Sequence, residues 1–536
     1  MQSVDVMVVG GLIRFVQGFA QAAPTLLVGL LIASVLRYYL GNTGTRRLFG
    51  GDRWRSLPQS WLVGMLLPVC SIGVLPVLFE MRQAKVKPGA MSAFALSAPL
   101  FNPLSLLYGL TLSRPLVIIL FAAGSLVVVT TLGLVWDSLW LRTSEDYSNP
   151  NDDDANADSA SNDYLIGLRR LAASFVHFVR RATGTPMVAA VVALMGLVFL
   201  AAVLPFGAMQ TSVERDDWFA PVKMLLVAIP VYASPMLAMS QLGMMFQHAN
   251  SPGASFTLLI MGGGMNLATP LWFARHYGWK TAIRWFGSLL LIVMAISYAI
   301  NGPLVPPGVE PAGHTHAFDI YANPVSPIQA VDVSTVVDLV SKEFNLSVVA
   351  SLCTLAVVML CGLIIRLVGV DESTLVETAD ANSFASSLAN EAPQDRRGWD
   401  VIVPPAALGV ALLSCLVLLS VVACYAYYPS PAECLEEVRI ARVECLSAAN
   451  TGQIEHALFW LPVWEDWSRR MEVGTFIRRG SVRPYQRMQG YLIRKKLEAL
   501  EHELEHDPFE LDETVKVVSD LRRSNKRWVD AFRQTP

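Results

Sequence analysis

The sequence predicts an all-α, polytopic helical membrane protein with two related halves, inverted relative to each other and containing broken or re-entrant helices, followed by a soluble helical domain. Three observations carry this. Of the 536 residues 53% are hydrophobic and 16% charged, with a mean hydropathy of +0.44, whereas an average soluble domain carries roughly 25% charged residues. Apolar runs near the ~20 residues needed to cross a bilayer recur along the chain, more than one soluble core can absorb. Finally, Pro88-Gly89-Ala90, followed by Asn102, recurs as Pro252-Gly253-Ala254, followed at the same spacing by Asn266. With this composition such a coincidence would arise roughly once in a hundred chains.

The apolar runs lie at 20–40, 61–81, 88–112, 115–141, 185–206, 222–247, 252–274, 281–300, 346–369 and 401–424. The first half is expected at 1–141 and the second at 185–300. Between them, 142–184 divides into the acidic run Ser144 to Asp163, which has no Lys or Arg, and the stretch Tyr164 to Thr185. The acidic run cannot bury enough apolar surface to order itself and is expected to be a tether. The second stretch sets Leu165, Ile166, Leu168, Leu171, Phe175 and Phe178 against Arg169, Arg170, Arg180 and Arg181, and predicts an amphipathic helix on the lipid surface. An external loop at 301–345, two further spans within 346–424 with a polar linker at 371–398, and a soluble helical domain at 425–536 complete the order. The N-terminus lacks a basic n-region, so no removable signal peptide is expected.

Topology follows from the arginines. Arg46, Arg47, Arg53 and Arg55 place the loop after the first span in the cytoplasm, as the arginines at 169–181 do for the central linker. Two cytoplasmic loops require an even number of crossings between them, yet three apolar runs intervene. One of them, 61–81 with Pro68, Gly73 and Pro76, is therefore predicted to be re-entrant or broken. Non-helical backbone at that depth survives only where protein or a watery cavity satisfies its peptide groups. The same device in the second half leaves 301–345 outside and the C-terminal domain extracytoplasmic, and the weak point of this count is the basic loop with Arg82, Lys85 and Lys87.

Paired apolar segments interrupted by Gly and Pro at matching places in two halves are the best sequence pointer to a transport pathway. In the first half Cys70, Ser71, Gly73, Ser97, Pro99 and Asn102 fall at such interruptions. In the second, Tyr232-Ala233-Ser234-Pro235, Ser240, Gly263 and Asn266 supply the matching parts, with Pro99 opposite Gly263 when the triplets are superposed. Proline removes a donor and glycine relaxes the helix, so nearby amides and carbonyls are freed to hold a polar solute. Asn102 and Asn266 are the most telling, because a carboxamide in lipid is costly unless it faces the bundle interior.

The run Leu67-Pro68-Val69-Cys70-Ser71-Ile72-Gly73-Val74-Leu75-Pro76, with Pro88-Gly89-Ala90, Ala98-Pro99 and Asn102, resembles the signature of the YraQ-type predicted permeases, the family that includes the organoarsenical efflux permeases. Ser251-Pro252-Gly253-Ala254 and Gly262 to Asn266 are similar to that family's second half. The resemblance covers about 1–300 and implies a bacterial inner-membrane permease of two related halves that exports a small solute. The family's first motif commonly reads Cys-Ser-Cys-Gly. Here Ile72 replaces the second cysteine, so a two-thiolate site for an arsenical does not carry over.

Other signals are weaker. No Gly-x-x-x-x-Gly-Lys-Ser/Thr motif points to ATP. Glu80, Asp137, Lys223, Arg275 and His276 fall near predicted span ends, where snorkelling to the interface is expected. His314 and His316 lack the further ligands that a zinc site needs, and His502-Glu503-Leu504-Glu505-His506 sits in a solvated acidic run stopped by Pro508. Cys434 and Cys445 suit a disulfide in an exported domain. Helices are expected at Leu435 to Ala449, Ile454 to Phe476 and Pro484 to Glu505, with Trp460, Trp464 and Trp467 as core or interface anchors.

The leading expectation is a non-enzymatic secondary permease; the alternative is a non-transporting receptor or scaffold presenting the C-terminal domain. Expected partners are a small-molecule solute, the bilayer and a protein partner for that domain, with no cofactor and no nucleic acid.

Overall fold

The computed structural model describes residues 4–51, 55–112, 115–140, 168–205, 208, 213–247, 249–304, 318–325, 332–341, 344, 346–370, 404–505 and 509–533. The described residues are almost entirely helical and fall into two compact units, Met1–Leu106 with Leu116–Leu418, and Leu107–Pro115 with Leu419–Pro536. The tether at 144–163, the 371–398 linker, His314, His316 and His506 lie outside the described residues.

In the first unit α1 (Val4–Val35) continues through a π-turn, Leu36–Leu40, into α2 (Gly41–Leu48). The run at 61–81 is two short helices, α3 (Ser56–Leu66) and α4 (Val74–Gln83). The run at 88–112 is likewise α5 (Pro88–Ser97) and α6 (Pro103–Leu112), and one long helix follows, α7 (Pro115–Val135), ending in a π-turn at Trp136–Trp140. Then come α8 (Leu168–Ala182), α9 (Thr185–Val203), a second short pair α10 (Ala220–Ala228) and α11 (Pro235–Gln247), and α12 (Pro252–Thr257) prolonged by a π-turn at Leu258–Gly263. Last in this series are α13 (Ala268–Tyr277) and α14 (Trp279–Asn301). Proline opens α5 and α12 at a position whose N–H has no intrahelical partner, and its fixed φ suits the first turn.

The α3–α4 pair is a hairpin whose two ends lie together. Gln59, in the first turn of α3, donates to the carbonyls of Arg47 and Leu48 at 2.9 Å, and Gln83, at the end of α4, accepts from Arg37. Both ends therefore sit at the C-terminal end of α1. The α10–α11 pair closes on itself too: the Val213 carbonyl before it accepts from Ser251 N–H and Asn250 Nδ2 after it, both at 3.3 Å.

The two hairpins open at opposite ends of the unit. His276, at the end of α13, meets Arg82 of α4, so α14 starts at the C-terminal end of α1 and delivers Asn301 to Gly253 at the far end. A 23-residue helix spans ~35 Å. The far end also holds Asn323, which bonds Leu204 O at 3.0 Å and Val6 O at 3.1 Å, and Arg14, which bonds Ala322 O at 3.0 Å and Asp319 O at 2.6 Å. Loop 84–87 thus lies at the same end of the unit as α2.

Among the described residues six helical stretches are long and apolar enough to cross a membrane: Val4–Leu48, Leu116–Ser138, Arg169–Val203, Trp279–Asn301, Leu346–Val368 and Pro405–Tyr427; the bent pair Pro252–Gly263 and Ala268–Tyr277 (57°) adds a broken one. After α14 come α15 (Val333–Ser341), α16 (Leu346–Val368) and α17 (Pro405–Tyr427). The expectation for α8 needs correction. Leu171 and Phe175 are exposed, but the opposite side packs on α1 and α16 and buries His177. Gly362 of α16 approaches so closely that a Cβ there would lie 2.2 Å from Val179 O.

The second unit is built around α18 (Pro431–Asn450), α19 (Ile454–Arg479), α20 (Pro484–Glu505) and α21 (Leu511–Arg533). Ser430 and Glu433 form a capping box on α18, a reciprocal arrangement that satisfies two otherwise orphaned N–H groups. Trp464 and Trp528 are fully buried, with Trp460 and Trp467 packed against the same core. An ion pair, Arg494 to Glu472 at 2.6 Å, is buried between α20 and α19. Cys434 and Cys445 are free, contrary to the expected disulfide. Eleven residues apart on one helix, they are separated by ~16 Å along its axis, beyond the ~7 Å that a disulfide tolerates. Burial pushes both thiols up to about 12.

Candidate functional site

Four interruptions of the helices, 67–73, 98–102, 229–234 and 264–267, carry most of the sequence-predicted residues; Ser97 and Gly263 end the helical segments just before two of them, and Ser240 lies inside α11. At the first, Leu67 turns extended (φ −83°, ψ 128°) before Pro68, which cannot donate a helical bond. Cys70 is fully buried and its sulfur accepts from Thr25 Oγ1 at 2.8 Å and from Gly73 N–H at 3.4 Å. Gly73 fits because it lies directly against α1: a Cβ there would stand 2.5 Å from Thr25 O, and one on Gly29 would stand 2.1 Å from Gly73 O. In the second half Gly196 of α9 does the same, with a Cβ position 1.9 Å from Pro230 O. In each half, then, a glycine of a long helix lets the unwound segment lie on its backbone.

The interruptions come together. Tyr232, in the third, points its hydroxyl toward the Cys70 thiol and the Thr25 hydroxyl, without a well-formed hydrogen bond to either. Gly264, in the fourth, packs on the second, with a Cβ position 3.2 Å from Leu96 O and 2.9 Å from Leu100 Cδ2. Within the second half Gly262 lies against Val231, and within the first Gly64 lies against Ser97 and Ala98. Cys70, Ser71, Gly73, Ser97, Pro99, Gly263 and Asn266 are thereby buried in one neighbourhood, while Ser234 and Ser240 are half-buried on the α11 side.

The two asparagines have a specific task. Asn102 Oδ1 accepts from Ser105 N–H at 2.7 Å, and Asn266 Oδ1 accepts from Ala268 and Thr269 N–H at 2.8 and 3.2 Å. Each caps a half-helix that starts deep in the bundle, where its first N–H groups have neither water nor an upstream carbonyl. Ser234 caps α11 likewise, accepting from Leu237 N–H at 3.3 Å. A cap of this kind is worth about 1 kcal/mol. What the caps leave over is informative: the Ser71 hydroxyl, the Tyr232 hydroxyl and the Asn266 Nδ2 are buried without a hydrogen-bond partner, on residues only 1%, 1% and 0% exposed.

Two titratable residues expected at the interface turn inward instead. Glu80 is 3% exposed, with Arg181 Nη2 at 2.9 Å, His177 Nε2 at 3.3 Å and Arg37 Nη1 at 4.0 Å. A buried carboxylate survives because three cationic or potentially cationic groups surround it. Asp137 accepts from Gly89 N–H at 2.9 Å. Lys223 behaves as expected at an interface, pairing with Asp217 at 2.6 Å in the open; that hydrogen bond holds the Asp217 carboxyl below its ordinary range.

Sequence reasoning missed Thr25, Gly29 and Gly196, and it quoted Tyr232 without assigning it a role. Pro24-Thr25 inside an apolar helix was the available signal for the first; nothing local marks the two glycines, whose role is a tertiary contact. Among the described residues no three His, Cys, Asp or Glu side chains converge as a metal site.

A family model described as "Predicted permease" (ArsP_1) matches residues 15–302. The chain is also 26% identical over 92 residues to the UPF0718 protein YcgR of Bacillus subtilis (strain 168), a stretch of 17% of this chain and 31% of that protein, so the match spans about a third of that relative's length. No solved structure matches. The family match covers more than half of the sequence, including all four interruptions and the long helices that carry them, and the chain belongs to the ArsP_1 family of predicted permeases.

Proposed function

We propose that the chain is a secondary permease of two inverted repeats, moving a small polar or thiol-reactive solute through the convergence of the four helix breaks. The observation that carries this reading is the set of unspent polar groups on Ser71, Tyr232 and Asn266, contributed by both halves. Buried groups without a partner are rare and costly in a native protein, and a polar cargo passing between the halves is the partner this reading supplies. Cys70, adjacent to Tyr232, adds a thiol.

The order of elements supports the repeat: long helix, short pair, short pair, long helix from α1 to α7, and again from α9 to α14. The opposite openings of the two hairpins support inversion. With the arginine-rich ends inside, the α3–α4 hairpin enters from the cytoplasm and the α10–α11 hairpin from outside, and α17 carries the C-terminal domain to the extracytoplasmic side.

Uptake and retention of a panel of small polar and thiol-reactive solutes, compared in cells with and without the chain, identifies the cargo; its flux in proteoliposomes then tests the site. Ser71→Ala, Tyr232→Phe and Asn266→Ala are expected to slow flux by roughly tenfold each. A protein that shows no flux for any solute is a scaffold, and the permease reading fails.

A further inference from the structure

Away from the four breaks, a second group of polar side chains lies between α4 and α13, at the end of the unit where α1 finishes. Arg82 of α4 contacts His276 Nδ1 of α13 and lies over the Tyr277 ring, 5.9 Å from its centroid. No carboxylate pairs with Arg82 among the described residues; the neighbouring Glu80 is taken up by His177, Arg181 and Arg37. A guanidinium only donates, so His276 Nδ1 accepts and the imidazole proton is assigned to Nε2. That Nε2 is buried with no partner. Trp272, one turn earlier and 5% exposed, holds its ring centroid 4.5 Å from that of His276 with the planes inclined at 55°, and its indole Nε1–H is also buried without a partner. Phe79 packs edge-on against both rings, at 5.7 and 5.4 Å.

The cluster thus offers one fixed positive charge and two orphaned N–H groups against an aromatic wall; its ring acceptor, His276 Nδ1, is already taken by Arg82, and among the described residues no acceptor satisfies the two N–H groups. Uncharged or cationic groups gain little there, whereas an oxyanion accepts from all three and neutralises the guanidinium in a setting where charge-assisted bonds are strong. We infer that Arg82, His276 and Trp272 form an oxyanion-binding site between the two halves, taking a phosphate-like group presented either as a free solute or on a lipid headgroup. Binding there is independent of the permease reading, because it is read at equilibrium without flux.

The test uses the purified full chain. One arm measures equilibrium binding of radiolabelled inorganic phosphate in detergent at constant ionic strength. The other compares the unfolding midpoint in nanodiscs of phosphatidylglycerol and of phosphatidylcholine. Saturable phosphate binding assigns the site to a free oxyanion, and stabilisation by phosphatidylglycerol alone assigns it to a headgroup. In either case Arg82→Gln and Trp272→Phe should weaken the effect by roughly tenfold, while Arg275→Gln, an exposed neighbour on the same helix, should leave it unchanged. Trp272→Phe keeps the ring and removes only the N–H, so it decides the matter if Arg82→Gln fails to fold. The inference is overturned if neither arm shows an effect, if Trp272→Phe leaves the effect intact, or if Arg275→Gln weakens it equally.

Discussion

The backbone N–H of Gly89 is capped by the carboxylate of Asp137, forty-eight residues on, at 2.9 Å. The second half repeats the relationship at the same spacing, with Asn301 Oδ1 accepting from Gly253 N–H at 3.0 Å. Two residues before each glycine the partners differ in a matched way: Lys87 faces the Asp137 charge, whereas the Ser251 hydroxyl donates to Asn301 at 2.7 Å. One half fastens its buried helix with a carboxylate that has a lysine charge nearby, and the other with a carboxamide and a hydroxyl.

The fastening predicts a transplant. Asp137→Ala should cost about 1–2 kcal/mol, the usual loss for a helix cap, seen as a lower unfolding midpoint of the purified protein. Lys87→Ser combined with Asp137→Asn installs the second half's version in the first and should recover most of that loss. Equal destabilisation by the double variant would mean that the two caps are not interchangeable.

Gly29 and Gly196 hold the unwound segments against long helices, with carbonyl oxygens 2.1 and 1.9 Å from their Cβ positions. Alanine at either cannot be accommodated without moving backbone, and each substitution should cost about 1–3 kcal/mol. Gly287 of α14 has open space around it, so Gly287→Ala is the control and should be neutral or slightly stabilising. The comparison is read in thermal unfolding.

Glu80 stands among His177, Arg181 and Arg37, and removing it leaves buried positive charge behind. Glu80→Leu should destabilise by about 3–5 kcal/mol, the range for breaking a buried pair from one side. Arg181→Leu should cost less, because Arg181 is partly exposed, and the double variant should cost less than the two singles together. Strict additivity in that cycle would show that the contact carries no coupling.

Cys434 and Cys445 are buried in the C-terminal bundle with thiols pushed up to about 12. Since the thiolate is the reacting form, a water-soluble maleimide at pH 7.5 should leave both unmodified until denaturant is added, and reduction should not alter electrophoretic mobility. Rapid labelling of the native protein at either would contradict the packing of α18.

Much of this architecture was legible in the chain. Pro68, Gly73 and Pro76 announced the interrupted run at 61–81, a local feature. The repeated Pro-Gly-Ala, read as the mark of a duplication, stands at the start of α5 and of α12, a local preference of proline that the sequence reading did not use. What stayed hidden was tertiary. Glu80 and Asp137 were expected to snorkel, since their neighbours in sequence do not reveal that α8 brings His177 and Arg181 to one and that α5 brings Gly89 N–H to the other. Asn102 and Asn266, expected to face the solute path, are both buried, but their oxygens serve the start of a half-helix, and of the two only Asn266 Nδ2 is left buried without a partner. The helix α21 was missed because its charged residues mask an apolar stripe through Val518, Leu521 and Trp528. The Cys434 and Cys445 pairing failed on helix geometry: residues eleven apart on one helix cannot meet.

The central claim is that the two hairpins enter the membrane from opposite faces so that their unwound tips meet. Single cysteines at Lys85, in the loop after α4, and at Asp216, before α10, are placed in a background otherwise free of cysteine. They are then labelled with a membrane-impermeant maleimide in right-side-out and inside-out vesicles. The account predicts that Lys85→Cys labels only in inside-out vesicles and Asp216→Cys only in right-side-out ones. Labelling of both from the same face would contradict it.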